Sequence, residues 1–259
     1  MTFPPNHPAF LQPDDPSVII WRYVDMHKFE WLLENRRLFM PSASRLGDPL
    51  EGSTPCGELA WWRRQAEDAD TEEHRRIIEH NRSFLSYTAQ SFRDHYYVSC
   101  WHTNTYENHA MWGCYTKEPE AVAVRTTFGA LRRCVPEFVG IGMVRYIDYA
   151  RQRLPTMNMF EYIMHKDSYY AFESEVRAVA FPPTADELGK AEFFAHLFES
   201  ESDTGFRVYA PVVDLAVLIH GIVVHPYATP AFFDAVRELC AGHRLPAPEF
   251  SRKNRPAEF

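Results

Sequence analysis

The residues best suited to chemistry form the segment Glu173-Ser174-Glu175-Val176-Arg177, at the start of an apolar run that predicts a strand. Side chains two residues apart on a strand face the same way, so Glu173, Glu175 and Arg177 are predicted to line one surface. Two such carboxylates suit general acid and base catalysis, or hydrogen bonding to sugar hydroxyls. The alternative is a solvated strand face with an ordinary ion pair between residues i and i+2.

Arg22 is a second candidate, because it lies between Trp21 and Tyr23 in a β-branched and aromatic run that predicts the first strand. A guanidinium on a half-buried strand can bind a phosphate in bidentate fashion. It can equally form a structural ion pair with Asp48 or Glu51 in the loop that follows. The sequence leaves both interpretations open.

Aromatic residues and cysteines offer a third type of site. The segments 99–102 and 111–115 carry Trp and Tyr rings that could stack on a planar ligand, although such a density of rings is more typical of a core. Cys100 and His102 face the same way on a predicted strand, but no third group is placed to orient the histidine. The cysteines and histidines of this region lack metal-ligand spacing, so we expect no metal.

The composition of the 259 residues is that of a globular chain, with 46% hydrophobic, 24% charged and 15% aromatic residues. The formal charge of −8 argues against an extended nucleic-acid surface. No apolar run approaches the roughly 20 residues of a membrane helix. The N-terminus lacks the pattern of a signal peptide, so we expect a cytoplasmic protein. The five cysteines, at irregular spacings, predict free thiols. P-loop, dinucleotide-fingerprint, nucleophile-elbow, zincin and calcium-loop motifs do not occur.

The elements that must position the candidate residues alternate between strands and helices. Strands are predicted over residues 18–24, 38–40, 96–102, 121–127, 140–149 and 173–181, with further β-rich runs in 206–226. Helices are predicted from Asp25 to about residue 34, around residues 111–115, and over 128–135, 159–172 and 229–245, the last capped by Thr229 or Asp234. Along 140–149 the alternation places Met143, Arg145 and Ile147 on one face.

We expect a single α+β domain over residues 1–259, with a mixed or antiparallel split sheet, flanking helices and a helical insertion. The insertion covers residues 58–93 and is predicted to form two solvated helices divided by the polar segment 67–74. Residues 1–16 are rich in proline and predict an irregular lead-in. Residues 251–259 predict a frayed tail.

Four segments carry motifs that occur together in one bacterial family: WRYVDMHKFEWLLENRRLFMPSASRLGDPLEG, YVSCWHTNTYENHAMWGCY, VRYIDY and HKDSYYAFESEVRAVAF. Members show a Tyr-rich first strand, an Asn-Asp-Pro-x-Glu loop, a Ser-Cys-Phe strand, a Met-Trp-x-x-Tyr helix start, a Val-x-Tyr strand and a Lys…Trp…Glu-x-Glu-x-Arg block. The matching positions are Tyr23, Asp48, Pro49, Glu51, Ser99, Cys100, Met111, Trp112, Tyr115, Tyr146, Lys166, Glu173, Glu175 and Arg177. Over residues 18 to about 181 the chain therefore resembles the family known as domain of unknown function 2971.

Three positions depart from that pattern. Gly47 stands where the family usually has Asn, Trp101 where it has Phe, and Tyr170 where it has Trp. The first removes a polar side chain from the loop, whereas the two aromatic exchanges keep a stacking surface. The family name itself implies no activity.

The order of elements is also similar, by analogy, to the ADP-ribosyltransferase superfamily. In that superfamily an early Arg or His contacts NAD, an aromatic ring stacks on nicotinamide, and a late Glu stabilises an oxocarbenium-like transition state. The similarity implies NAD-binding side chains at four positions, Arg22, Tyr23, Trp112 and Tyr115. It also implies that Glu175 is catalytic and that Glu173 orients the acceptor. Four more residues are expected to have structural or substrate-loop roles: Asp48, Glu51, Lys166 and Arg177.

Three hypotheses follow. The first is a cytoplasmic, NAD-using ADP-ribosyltransferase-like protein or NAD glycohydrolase of the toxin or defence type, phage defence included, whose cleft holds Arg22, an aromatic ring and Glu175. The second is a non-catalytic regulatory or partner-binding module with no open pocket, in which Arg22 and Arg177 pair with Glu173 and Glu175. The third is a metal-dependent nuclease or hydrolase with four convergent carboxylates, those of Asp48, Glu51, Glu173 and Glu175. The sequence identifies neither an acceptor molecule nor an oligomeric state.

Overall fold

A mixed β-sheet lies at the centre of the fold. The computed structural model describes residues 7–48, 50–156, 158–181 and 208–254. Within these ranges the strands are β1 Ile19–Asp25, β2 Met40–Pro41, β3 Tyr97–Thr103, β4 Ala121–Thr127, β5 Gly140–Met143, β6 Arg145–Ile147, β7 His165–Asp167, β8 Glu175–Ala180, β9 Val208–Tyr209, β10 Gly221–Val224 and β11 Glu249–Phe250.

Helices precede, interrupt and follow these strands. In the described residues the α-helices are α1 Met26–Asn35, α2 Cys56–Glu67, α3 Glu72–Phe92, α4 His109–Tyr115, α5 Phe128–Cys134, α6 Glu161–Met164, α7 Leu215–Leu218 and α8 Pro230–Gly242. Short 3-10 helices cover Ala43–Arg45, Ser168–Glu173 and Arg252–Asn254. No helix in the described ranges is long and apolar enough to cross a membrane.

Seven of the strands form one sheet in the order β11-β10-β4-β1-β3-β8-β5. Neighbouring strands within this sheet pair in antiparallel fashion, except β10 and β11, which are parallel. β2 pairs with β9, and β6 with β7, in two small separate sheets. The α+β class predicted from the sequence is confirmed.

The large sheet is split between β1 and β3. β1 pairs with β4 along its whole length, from Ile19 to Asp25. It pairs with β3 only where Ile20 faces Thr103 and Trp21 faces His102. Past this point β3 continues to pair with β8, so β1 and β3 diverge and leave a cleft between them.

The main hydrophobic core covers one face of the sheet. Alternate residues of β1, β3 and β8 contribute Ile20, Val24, Trp101, Val176 and Ala178, all of which are buried in one cluster. Helices α1, α5 and α8 pack their apolar stripes on this face. Thr229 caps α8 by accepting a hydrogen bond from the amide of Phe232. Of the two predicted caps, Thr229 is therefore the one that forms.

Two predicted elements are wrong. The strand expected over residues 140–149 is interrupted at Val144, whose amide donates to the carbonyl of Glu175. β5 therefore joins the large sheet and β6 pairs elsewhere, so Met143 and Arg145 do not share one strand face. The helix expected over 159–172 shortens to α6, because the chain then extends into β7 and turns through a 3-10 helix.

The peripheral segments follow the sequence in part. α2 and α3 form the two predicted helices of the insertion, and Thr71 caps α3 through the amide of His74. In the lead-in, Phe10 is buried against Gly140, where an added Cβ would lie 2.3 Å from the Phe10 ring. Ser251 is buried rather than frayed, since its hydroxyl donates to Glu107. Residues 1–6, Pro49 and 255–259 lie outside the described residues.

Candidate functional site

The cleft between β1 and β3 has a volume of about 580 Å³. This is within the usual range for a small-molecule site, roughly 300–1,000 Å³. Several of the predicted site residues line it, namely Arg22, Tyr23, Asp48, Tyr115, Lys166 and Glu173. The split of the sheet thus brings together side chains that lie more than 150 positions apart in the sequence.

Arg22 provides a cation without a carboxylate partner among the described residues. Its guanidinium donates to the carbonyl oxygen of Phe39 at 3.0 Å and lies 5.8 Å from the ring centroid of Trp101. Withdrawal from water lowers the pKa of Arg22 to about 10, so the side chain is still charged at neutral pH. The structural ion pair with Asp48 or Glu51 is therefore not formed, because Glu51 binds Arg177 instead.

Glu173 provides the carboxylate of the cleft. Its Oε2 atom accepts hydrogen bonds from the Tyr115 hydroxyl at 2.8 Å and from Lys166 Nζ at 2.9 Å. Its Oε1 atom accepts none from any residue in the described ranges. The Glu173 carboxylate thus has one oxygen fixed by donors and the other available to a ligand.

Glu175 does not line the cleft, although the sequence placed it beside Glu173. Ser174 adopts the left-handed conformation with φ 45°, so the chain turns before β8 begins and Glu173 leaves the strand register. Glu175 accepts from Arg177 Nε at 2.7 Å and from Arg177 Nη2 at 2.8 Å. Both oxygens of Glu175 are already bonded, and the residue is 2% exposed. This geometry argues against the predicted catalytic role of Glu175.

Arg177 is the centre of a buried ion network. Besides Glu175, its guanidinium donates to both oxygens of Glu51 and to the carbonyl of Ile163. Burial disfavours the charged form of both carboxylates. For Glu175 the combined effect of Arg177 and Lys166 is larger than that of burial, so its pKa is lowered to about 2. For Glu51 burial prevails and its pKa is raised. The i, i+2 ion pair considered for Glu175 and Arg177 is therefore formed, but it is buried rather than solvated.

Lys166 joins this network to the cleft. Its Nζ atom lies 2.9 Å from Glu173, 3.6 Å from Glu175 and 4.4 Å from the ring centroid of Tyr170. Burial favours the neutral amine, yet Glu175 and Glu173 raise the pKa of Lys166. The network contains three formal negative charges, on Glu51, Glu173 and Glu175. It contains two positive charges, on Lys166 and Arg177, so the negative charges exceed the positive ones by one. Of the three carboxylates, only that of Glu173 lines the cleft.

The aromatic residues divide between the cleft and the core. Trp112 is buried, contacts the Tyr23 ring edge-on at 4.9 Å, and donates from Nε1 to Glu107, so the structure does not place it in the cleft. Tyr23 lines the cleft, but its hydroxyl accepts from the amide of Asn108. Tyr115 packs against His102 at 4.5 Å and bonds to Glu173, so its ring and hydroxyl are both engaged.

The Cys100 and His102 pair has the wrong electrostatics for a nucleophile. Burial and the adjacent Glu175 raise the pKa of the Cys100 thiol well above its usual value, which disfavours the thiolate. Burial lowers the pKa of His102, whose Nδ1 atom lies 3.0 Å from the carbonyl oxygen of Glu173. Each residue thus favours its neutral form.

The four carboxylates of the metal hypothesis do not converge on an open position. Glu51 and Glu175 both bind Arg177, a cation of the protein itself. Asp48 lines the cleft but uses Oδ1 to accept from the amide of Leu50. Across the described part of the chain, no group of three or more His, Cys, Asp or Glu side chains has the arrangement of a metal site.

Comparison with known proteins does not assign the chain to a family. No family model matches the chain, and no curated protein matches it significantly. The resemblance to domain of unknown function 2971 and the analogy with ADP-ribosyltransferases therefore stay predictions.

The sequence pattern missed the turn at Ser174 and gave Lys166 only a structural or substrate-loop role. A non-glycine residue in the left-handed region leaves little trace in a sequence, although serine is a frequent turn residue. Lys166 precedes Glu173 by seven positions, and only the turn of the 3-10 helix brings the two side chains together.

Proposed function

We propose that the cleft between β1 and β3 binds NAD and that the protein is an ADP-ribosyltransferase-like enzyme or NAD glycohydrolase. One observation carries the proposal: the same cleft holds a cation without a described carboxylate partner, Arg22, and a carboxylate with one unbonded oxygen, Glu173. NAD has a pyrophosphate for the first and, bonded to its ribose, a positively charged nicotinamide ring for the second.

The chemistry assigns one task to each residue. Arg22 binds a phosphate oxygen pair, as guanidinium geometry favours. Glu173 stabilises the positive charge that develops on the ribose when the bond from C1′ to the nicotinamide nitrogen breaks. The bonding electron pair leaves with nicotinamide, which becomes neutral. Water or an acceptor group then forms the new bond to C1′ and loses its proton.

This assignment differs from the sequence prediction at the catalytic glutamate and at Trp112, which does not line the cleft. Glu173 takes the catalytic role given to Glu175, because Glu175 is bonded to Arg177 and is 2% exposed. Lys166 and Arg177 offset much of the charge of the three glutamates, and Glu173 presents the remaining negative charge to the cleft. An anionic site beside a developing cation is worth several kcal/mol when water is excluded.

Calorimetric titration with NAD, coupled to a measurement of free nicotinamide, tests the proposal. We expect micromolar binding that Arg22→Ala weakens by about 10- to 100-fold, the value of a hydrogen-bonded charge pair. Glu173→Gln is expected to keep binding and to lower nicotinamide release by about 10²- to 10³-fold. Arg75→Ala, on the exposed face of α3, is the matched control and should change neither quantity.

A non-catalytic binding module is the second candidate. It is favoured by the use of Glu175, Glu51 and Arg177 in a buried structural network, as that hypothesis predicted for Glu175 and Arg177. The open cleft departs from the pocket-free form predicted from the sequence, so NAD binding to the wild-type protein without nicotinamide release would support a binding module that uses the cleft. No heat of binding up to millimolar NAD would contradict the nucleotide proposal as a whole.

A further inference from the structure

The carboxylate of Glu173 is held asymmetrically. Oε2 accepts from Lys166 Nζ at 2.9 Å and from the Tyr115 hydroxyl at 2.8 Å. Because both donors converge on the same oxygen, rotation of the carboxylate would break two hydrogen bonds. Among the described residues Oε1 has no hydrogen-bond donor, so it is the oxygen with capacity for a ligand in the cleft.

Lys166 is itself fixed before any ligand binds. It is 6% exposed, and its Nζ atom lies 3.6 Å from Glu175 Oε2 and 4.4 Å from the ring centroid of Tyr170. Glu175 in turn is bonded twice to Arg177. The ammonium group thus contacts Glu175 of the buried network on one side and the Glu173 carboxylate of the cleft on the other.

We propose that Lys166, assisted by Tyr115, is a positioning residue that fixes Glu173 so that Oε1 faces the reacting ribose. The assignment rests on the proposed function and adds to it the device that orients the catalytic carboxylate. Preorganised charge is more effective than mobile charge, because no reorganisation is needed as the transition state forms. Lys166 lines the cleft, but its Nζ atom is already held by Glu173 and Glu175, so we expect its loss to lower the rate of the chemical step more than the substrate affinity.

Steady-state kinetics of nicotinamide release tests this role in four variants of the full chain. Lys166→Met removes the ammonium, Lys166→Arg keeps a cationic donor, and Tyr115→Phe removes one donor without changing charge. Lys117→Met is the matched control, because Lys117 is exposed and does not line the cleft. Circular dichroism and thermal unfolding report whether each variant folds.

We expect Lys166→Met to lower kcat by about 10- to 100-fold with KM within about twofold of wild type, as misplacement of a catalytic group does. Lys166→Arg should restore most of that loss, and Lys117→Met should match wild type. Tyr115→Phe should lower kcat by about 3- to 10-fold, the value of one ordinary hydrogen bond. Since Tyr115→Phe leaves the charges in place, it tests the inference even where Lys166→Met does not fold.

Three results would overturn the inference, and they differ in what else they refute. Wild-type rates in a folded Lys166→Met or in Tyr115→Phe would refute the positioning role and leave NAD cleavage standing. A wild-type protein that releases no nicotinamide would refute the proposed function and this role with it. A rise in KM with unchanged kcat would place Lys166 in substrate binding and also refute positioning.

Discussion

Glu173 and Glu175 are separated by a single residue, yet Glu173 lines the cleft and Glu175 binds Arg177 with both carboxylate oxygens. The left-handed conformation of Ser174 produces this division, because it turns the chain between the 3-10 helix and β8. One carboxylate is left for a ligand, and the other holds the fold together.

Glu175→Gln is expected to cost more stability than Glu173→Gln, because Glu175 makes two hydrogen bonds to Arg177, whereas Lys166 keeps Glu175 as a partner when the Glu173 charge is lost. Loss of the Glu175 charge leaves Arg177 with only Glu51, and breaking a buried pair of this kind costs about 3–5 kcal/mol. Chemical denaturation of the two variants measures the difference. An equal loss of unfolding free energy in both would contradict the separate roles.

Stability should fall in acid through Glu175. Although burial disfavours its carboxylate, Arg177 and Lys166 lower the pKa of Glu175 from 4.5 to about 2. The stabilisation is therefore complete above pH 4.5 and is lost as the pH falls towards 2, with a value of roughly 3 kcal/mol. Glu51 opposes part of this effect, because burial raises its pKa.

Unfolding free energies measured between pH 2 and 7 test that dependence. Glu175→Gln should flatten the acid limb of the stability profile, since the titrating group is absent. A variant profile that keeps the wild-type slope would assign the acid sensitivity to other carboxylates.

Ser174→Gly should stabilise the protein by about 0.5–1 kcal/mol, because glycine adopts the left-handed region without the penalty that a Cβ brings. Ser174→Val should destabilise it by about 1–2 kcal/mol and disturb the orientation of Glu173. Ser83→Gly, in the middle of α3, is the matched control and should have the opposite sign, a loss of about 0.5 kcal/mol. Equal effects of glycine at both sites in denaturation would refute the conformational argument.

We expect the hydrogen bonds of Glu107 to hold the C-terminal segment against the rest of the fold. Its carboxylate accepts from Trp112 Nε1 at 3.1 Å, from the Ser251 hydroxyl at 2.7 Å and from the amide of Arg252. Glu107→Ala should cost about 1–3 kcal/mol, and Ser251→Ala less, because it removes one bond of the three. Hydrogen exchange at the Arg252 amide should accelerate in Glu107→Ala, and unchanged exchange would show that other contacts hold the segment.

The class of the fold was predictable because local patterns dominate in its regular elements. β4 begins and ends where the alternation of residues 121–127 predicts, and α8 has the predicted threonine cap and apolar stripe. Between residues 140 and 173 the prediction was wrong, since an interrupted strand and a short helix depend on pairing with distant residues. Propensity in a short window does not carry such information.

The sequence by itself determined which residues were able to do chemistry, because Arg22, Glu173, Glu175 and Arg177 are polar groups in or beside strand patterns. Only the tertiary structure decided which of them share a site. The divergence of β1 from β3 opened the cleft, and the turn at Ser174 directed one glutamate into it. The physical reason is that a buried charge is stable only beside its partner, so Arg177 binds both Glu175, two residues away, and Glu51, 126 positions away in the chain.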